Sequence, residues 1–322
     1  MTIKRRSSTR NSTTSLKTSA GGSSSSNDHP QRATNKKQKR TITTAKKSHW
    51  SRPGVEAAAR LVSLPISPSS TSTDNNVKSW NTALSHYESI IKAKGNNSKL
   101  HQLDQERQVI AQQWREYTKK EDEERSKMTK DQLLNVIIPW KFLKGKPRNA
   151  LKPLLQSNKD EDVIKSSILA FNFADSTIVT AIANTTNNKN DDKNNNNNNF
   201  KHSVEQAIQS LCQLVGVGPA TASAVLSAYC PRSFAFMDDE VIECLYDAKR
   251  GYTLKIYMAV NERCVDIAEK LNEAISSSSS SGSSTEQSKK WTPADVAKAL
   301  WTVATMSAMK DEDSLRKVFG DS

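Results

Sequence analysis

The residues best suited to chemistry lie between Leu214 and Asp239. Leu214 to Ala222 reads L-V-G-V-G-P-A-T-A and joins one stripe, Val204, Ala207, Ile208, Leu211 and Val215, to a second, Ala222, Val225, Leu226 and Tyr229. Apolar residues at three- and four-residue spacing predict a helix on each side. Gly216 and Gly218 allow positive φ and a close backbone approach. Pro219 suits a first helical position, where the missing N–H would be unpaired in any residue. The amides of such a turn, from Gly216, Val217 and Gly218 on to Ala220 and Thr221, lie at the positive end of a helix dipole. They predict a phosphate site that needs no side-chain charge. A tight helical hairpin without a ligand is the competing reading. Further on, F-M-D-D-E-V sets Asp238 and Asp239 side by side ahead of a helix expected at Glu240. Asp is a favoured helix cap, and either acid suits that place.

A second group of residues is basic. Between Asp131 and Asp160 the chain carries Lys141, Lys144, Lys146, Arg148, Lys152 and Lys159 and no acid. With Trp140 and Phe142 this stretch reads either as a patch that tracks a nucleic-acid backbone and offers a stacking surface, or as a solvated helix end with Trp140 in the core. His202, just before the hairpin, reads as a surface residue. Cys212, Cys230, Cys244 and Cys264 are 18, 14 and 20 residues apart, with no C-x-x-C. They read as buried free thiols, and neither a zinc site nor an iron–sulfur cluster is expected. No cofactor is expected either.

The elements that must position these residues read as helical. Trp80, Ala83, Leu84, Tyr87 and Ile91 share one helical face, and Leu100, Leu103, Ile110, Trp114 and Tyr117 follow in the same manner. Thr129 with Gln132 predicts a capping box for a helix that Pro139 should bend or stop. Short and long helices are expected around Val163 to Leu169 and Leu254 to Leu271, and the charged run Lys119 to Lys130 reads as a solvated connector. Thr292, Pro293 and Asp295 supply an N-cap, a first-turn proline and an acid for a last helix. Only Ser176 to Ala183 is ambiguous between helix and strand, so the body is expected to be mainly α.

Composition divides the chain. Of its 322 residues, 35% are hydrophobic, against roughly 45–50% apolar for a typical soluble domain. Residues 1 to 52 hold 13 Lys or Arg and a single acid, Asp28, so +12 of the formal charge of +13 lies there. Residues 1–76 are therefore expected to be a disordered, basic, Ser/Thr-rich tail, and residues 77–322 a folded domain with low-complexity insertions at 185–199 and 276–288. K-K-Q-K-R, Lys36 to Arg40, suits nuclear import or phosphate attraction. A mitochondrial transit peptide is the rival, but Ile3 and Leu16 are the only large aliphatic residues between Thr2 and Arg40, so no amphipathic face forms and the nucleus is favoured. No stretch is apolar enough for a membrane span or a secretion signal, and a soluble intracellular protein is expected.

The hairpin resembles the helix-hairpin-helix of the DNA glycosylase superfamily, whose core reads L-P-G-V-G followed by two residues and T-A. That resemblance implies a helix-hairpin-helix DNA glycosylase-like fold that binds DNA. The bifunctional members place a Schiff-base lysine two residues after the second glycine. Here that position is Ala220, so the resemblance implies no lyase step of that type. The superfamily's aspartate, 18 to 19 residues further on, falls on Asp238 or Asp239, where the resemblance implies a carboxylate that stabilises the cationic sugar or positions the attacking water, a role that can coexist with capping. W-K-F-L-K-G-K-P-R (Trp140 to Arg148), G-V-G-P-A-T-A-S-A-V-L-S-A-Y with its later D-D-E, and Y-T-L-K-I-Y (Tyr252 to Tyr257) look like the Amun family of nuclear, glycosylase-like proteins. In that family the position of Asp238 is often Ser and the acid of Asp239 is kept, which singles out Asp239. The implied function is DNA binding with monofunctional N-glycosidic hydrolysis, or a non-catalytic DNA or chromatin adaptor that keeps the fold.

Overall fold

The computed structural model describes residues 54–66, 73–94, 98–117, 126–186, 190–246, 251–278 and 290–320. Every regular element among them is helical. Helices α1 (Val55–Ser63), α2 (Thr73–Ser85), α3 (Tyr87–Ala93) and α4 (Ser98–Tyr117) precede a short α5 (Lys130–Gln132), a π turn over Leu133–Ile137 and α6 (Ile138–Lys144). Next come α7 (Leu151–Gln156), the long α8 (Asp160–Thr186) and α9 (Asn190–Cys212), α10 (Pro219–Tyr229), α11 (Asp239–Tyr246), α12 (Leu254–Ser278), α13 (Pro293–Ala308) and α14 (Glu312–Phe319). The mainly α expectation holds, and Ser176 to Ala183 is helical within α8. None of these helices is long and apolar enough to cross a membrane.

Helix α10 is the centre of the body. Its P-A-T-A-S-A-V-L-S-A-Y sequence is nearly all small residues, and all but Pro219 and Ala228 are buried. Small side chains let α4, α6, α8, α9 and α12 approach it from several sides. Two arginines of α4 fix its position. Arg107 donates to the Ala224 carbonyl at 2.8 Å and to Ser227 Oγ at 2.8 Å, and Arg115 donates to the Ala228 carbonyl at 2.6 Å. Asp104 accepts from Tyr87 Oη at 3.0 Å and Trp140 Nε1 at 2.7 Å, tying α3 and α6 to the same helix. The Arg107 guanidinium lies 4.0 Å from the centre of the Trp140 ring. The buried Arg107 guanidinium is thus partnered by a carbonyl, a hydroxyl and a ring face, and the buried Asp104 carboxylate by a phenol and an indole N–H. Trp140 is therefore a core residue, which decides the alternative left open by its spacing. Phe142 is half-buried and packs against that core.

Local signals behave as their chemistry dictates. Thr129 Oγ1 accepts from the Gln132 amide while Gln132 Oε1 accepts from the Thr129 amide, a complete capping box. Thr292 accepts from the Asp295 amide ahead of Pro293 at the start of α13. Pro139 does not stop its helix. The wider π turn before it leads straight into α6, where the proline occupies the first turn and its missing N–H has no helical partner to lose.

Three boundaries read from composition need correction. Packed helical structure is already present from Gly54, well before residue 77. Val55, Ala58 and Leu61 of α1 are completely buried, chiefly against α13. Gly54, at φ 89°, lies so close to Ala304 that a Cβ would meet its carbonyl oxygen at 1.9 Å. Three apolar residues at helical spacing are masked by the Ser, Pro and Arg around them when residues are merely counted. In the Asn-rich run, α9 begins at Asn190 and carries residues 190–199 into the hairpin's first helix. Its backbone is continued from the well-packed Val204–Leu211 part of α9, and helix propagation needs no core contact at each residue. Likewise α12 reaches Ser278, into the Ser-rich run. The basic cluster Lys36 to Arg40, most of the Lys119 to Lys130 run and residues 279–288 lie outside the described residues.

Candidate functional site

The hairpin forms as its sequence predicts, with one difference between its glycines. Gly216 adopts φ 80°, in the left-handed region, and a Cβ there would press on Leu154 and Leu155 of α7 at 3.1–3.3 Å. Gly218 is extended, at φ −114° and ψ −179°, and a Cβ on it meets nothing within 4 Å. Positive φ is therefore required only at Gly216. Gly218 caps α10, and its carbonyl accepts from Thr221 and Ala222 at 2.8 and 2.9 Å. That uses the Thr221 amide, and with its side chain buried Thr221 closes the hairpin and offers no phosphate contact. Val217 is also buried. Among the described residues the Gly216, Gly218 and Ala220 amides donate to no protein acceptor. These three are the donors the turn retains for an anion.

Asn158 clamps this turn, a role with no sequence signal. Its amide group donates to the Val215 carbonyl at 2.9 Å and accepts from the Val215 amide at 2.8 Å, and it donates to Leu155 at 3.0 Å. It thereby pairs with Val215 as a strand partner would, from 57 residues away. Asn158→Ala is expected to lower stability by about 1–3 kcal/mol through the loss of buried partners. Urea unfolding measures this, and Asn158→Asp, which cannot donate to the Val215 carbonyl, should not restore it.

The two acids part company. Asp238, 4% exposed, sends its carboxylate to Lys144, itself 2% exposed, in a close ion pair that is enclosed by Trp140, Phe236 and Trp301. Burial drives Asp238 above the ordinary carboxylate range and the Lys144 ammonium opposes it. Burial likewise drives Lys144 below the lysine range and Asp238 opposes that. Only the Asp238 backbone starts α11, its carbonyl accepting from Ile242 at 2.9 Å. Two readings made from sequence are thus refined: the Asp238 carboxylate is held by Lys144 and caps no helix, although Asp238 also borders the cleft that Asp239 lines, and buried Lys144 is spent on that pair and does not line the cleft. Long-range burial overrides both local patterns.

Asp239 is the first residue of α11 and lines an open, shallow cleft with a cavity volume of about 30 Å³, well below the ~300–1,000 Å³ of small-molecule sites, so a ligand there would lie mostly outside it. Lys141 and Gly145 from α6 and its end, Lys146, Arg148, Ala220 from the hairpin, Tyr252 and the Phe236–Asp238 segment share its walls. Asp239 accepts from Tyr252 Oη at 2.6 Å. The Arg148 guanidinium lies 4.8 Å from the centre of the Tyr252 ring. Burial, with Arg148 next in weight, lowers the Lys141 pKa below the lysine range, against the pull of Asp238 and Asp239. Lys146 and Arg148 are exposed. The cleft therefore unites two carboxylates, one of them paired with Lys144, a phenol and three basic side chains beside the start of α10. That set can hold an anion at its mouth and a developing cation at its floor. Tyr252 opens the Y-T-L-K-I-Y segment, but nothing in that segment marks it as a partner of Asp239.

The remaining expectations are simpler. His202 is exposed, and the four cysteines are free thiols, with burial pushing the Cys212 thiol up to about 11. Among the described residues no group of His, Cys, Asp and Glu is arranged to hold a metal ion. Comparison with protein-family models, with curated proteins and with solved structures yields no match to this chain.

Proposed function

We propose that the protein is a nuclear, DNA-binding member of the helix-hairpin-helix glycosylase-like class, akin to the Amun family, and that it hydrolyses an N-glycosidic bond without a lyase step through the hairpin. One observation carries this reading: Asp239 and the start of α10 open onto the same cleft, whose other walls bear Lys141, Lys146 and Arg148. The free amides of Gly218 and Ala220 hold a phosphate, and the basic side chains hold its neighbours. A nucleotide rotated out of the duplex then brings its sugar to Asp239. As the base departs, the carboxylate stabilises the cationic sugar and orients the attacking water, and Tyr252 holds the carboxylate in place.

The test uses Gly218→Asp. Its backbone angles suit any residue and its Cβ has room, so the variant is expected to fold. It places a negative charge where a phosphate sits, and duplex affinity is expected to fall by about tenfold or more at constant salt. Fluorescence anisotropy reads this. Unchanged affinity in the folded variant refutes hairpin binding. Gly216→Asp serves less well, because strain at positive φ disturbs the fold itself. Normal duplex binding with no base released from oxidised, deaminated or alkylated substrates selects a non-catalytic DNA or chromatin adaptor.

A further inference from the structure

A cavity of about 530 Å³ lies between α1 and α14 and shares no residue with the Asp239 cleft. Both helices begin at the C-terminal end of α13. A Cβ on Gly54 would meet Ala304 and Ala308, and the Asp311 amide, just ahead of α14, donates to the Met306 carbonyl at 2.9 Å. Their far ends meet where the Arg60 guanidinium lies 4.3 Å from the centre of the Phe319 ring. The two helices therefore run side by side in the same direction. With α1 packed on α13 and α11, and α14 on α2 and α13, a groove stays open between them. Ala57, Leu315 and Phe319 give it an apolar floor, each only partly buried.

Charge is divided along this groove. Glu56 and Glu312 stand where both helices start, and Arg60 and Arg316 where both finish; all four are exposed. No ion pair among the described residues includes Glu56, Arg60 or Glu312, and Arg316 meets only Asp313 of its own helix, at 3.3 Å. That exposed pair is cheap to exchange. Helices favour acids in the first turn and bases in the last. Laid antiparallel to α1 and α14, such a helix sets its acids against the two arginines and its bases against the two glutamates, and its dipole opposes theirs. Laid parallel, it sets like charge against like. Helix α14 is itself of this kind, with Glu312 and Asp313 in its first turn and Arg316 and Lys317 in its last. The groove is thus complementary to one of its own walls, which is the property of a two-fold interface.

We propose that a second copy of the chain occupies this groove, α14 of each copy lying antiparallel between α1 and α14 of the other. Glu312 of each copy then faces Arg316 of the other, and the Leu315 and Phe319 side chains of both leave water together. Helices of nine and eight residues supply fewer than the roughly 20–30 residues a side of a standard interface, so the dimer belongs to the weak, concentration-dependent class. The proposal is independent of DNA.

Sedimentation velocity on the full chain tests it. The formal charge of +13 makes the copies repel, so the measurement is made at about 0.15 M salt, where charges are screened beyond about 8 Å. The sedimentation coefficient is expected to rise with protein concentration from the monomer towards the dimer value. Glu312→Arg and Arg316→Glu, both exposed changes, are each expected to lower the association constant by about tenfold or more, because each sets like charges face to face. An equal mixture of these two variants is expected to associate about fivefold or more tighter than either alone, since both crossed contacts again join opposite charges. Lys165→Glu, a reversal of the same size at an exposed position of α8, is expected to leave association unchanged. Melting curves confirm that the variants fold. A chain that stays monomeric at every concentration overturns the proposal and leaves the groove to a small ligand or a different protein. A dimer that both reversals leave intact, or a mixture no tighter than its components, overturns it as well, because the contact then lies on another face.

Discussion

Replacing Lys144 with Met is expected to destabilise the folded body by about 3–5 kcal/mol, the effect of leaving one member of a buried ion pair alone. The Asp238 carboxylate would then lie 4% exposed with no other side-chain partner, surrounded by the rings that now enclose Lys144. Asp238→Asn is expected to cost a similar amount by stranding the ammonium. A helix-cap change would cost only about 1 kcal/mol, so the size of the loss separates the two roles. The double variant Lys144→Met with Asp238→Leu removes both charges. It should recover most of the loss and can exceed the parent, since burial opposes the charged form of both partners. Urea unfolding of the four proteins gives the coupling free energy directly. Additive single losses would show that the pair is not coupled. This test is independent of DNA, because it concerns only how the 236–239 segment is held against α6.

What the sequence made legible follows from distance along the chain. The hairpin, the capping box at Thr129 and the Thr292 cap are decided within a few residues, where the identities of Gly, Pro, Thr and Asp have direct conformational meaning. The link from Lys144 to Asp238 spans 94 residues and that from Asn158 to Val215 spans 57, and no spacing rule reaches them. The same limit set the onset of packed structure too late. Composition averages over a window, and the three core residues of α1 vanish within it although each is fully buried. Asp239 was legible through resemblance, but its neighbours were not: Lys141 entered as one of several basic residues in a row, and only the fold separates it from buried Lys144 and exposed Lys146.

Asp239→Asn is expected to lower the rate of base release by about 10²-fold or more, a loss of roughly 2.7 kcal/mol of transition-state stabilisation. On the proposed function duplex affinity should stay within a few-fold, because there the carboxylate acts on the positive charge that develops as the base leaves, and ground-state binding is assigned to the hairpin amides and the basic wall. The amide is close in size and still accepts from Tyr252 Oη, now 2.6 Å away, so the fold and the cleft are preserved while the charge is lost. Tyr252→Phe provides the complementary test. It keeps the ring under Arg148 and removes only the hydroxyl that orients Asp239. Base release should fall by about tenfold, in kcat rather than KM, since an ill-held carboxylate still carries its charge. The two changes together should cost little more than Asp239→Asn alone, because the phenol acts through the carboxylate. Single-turnover release from a duplex bearing the responsive base measures all three. Equal losses of affinity and rate in Asp239→Asn would make the residue a binding group, and full additivity would detach Tyr252 from it.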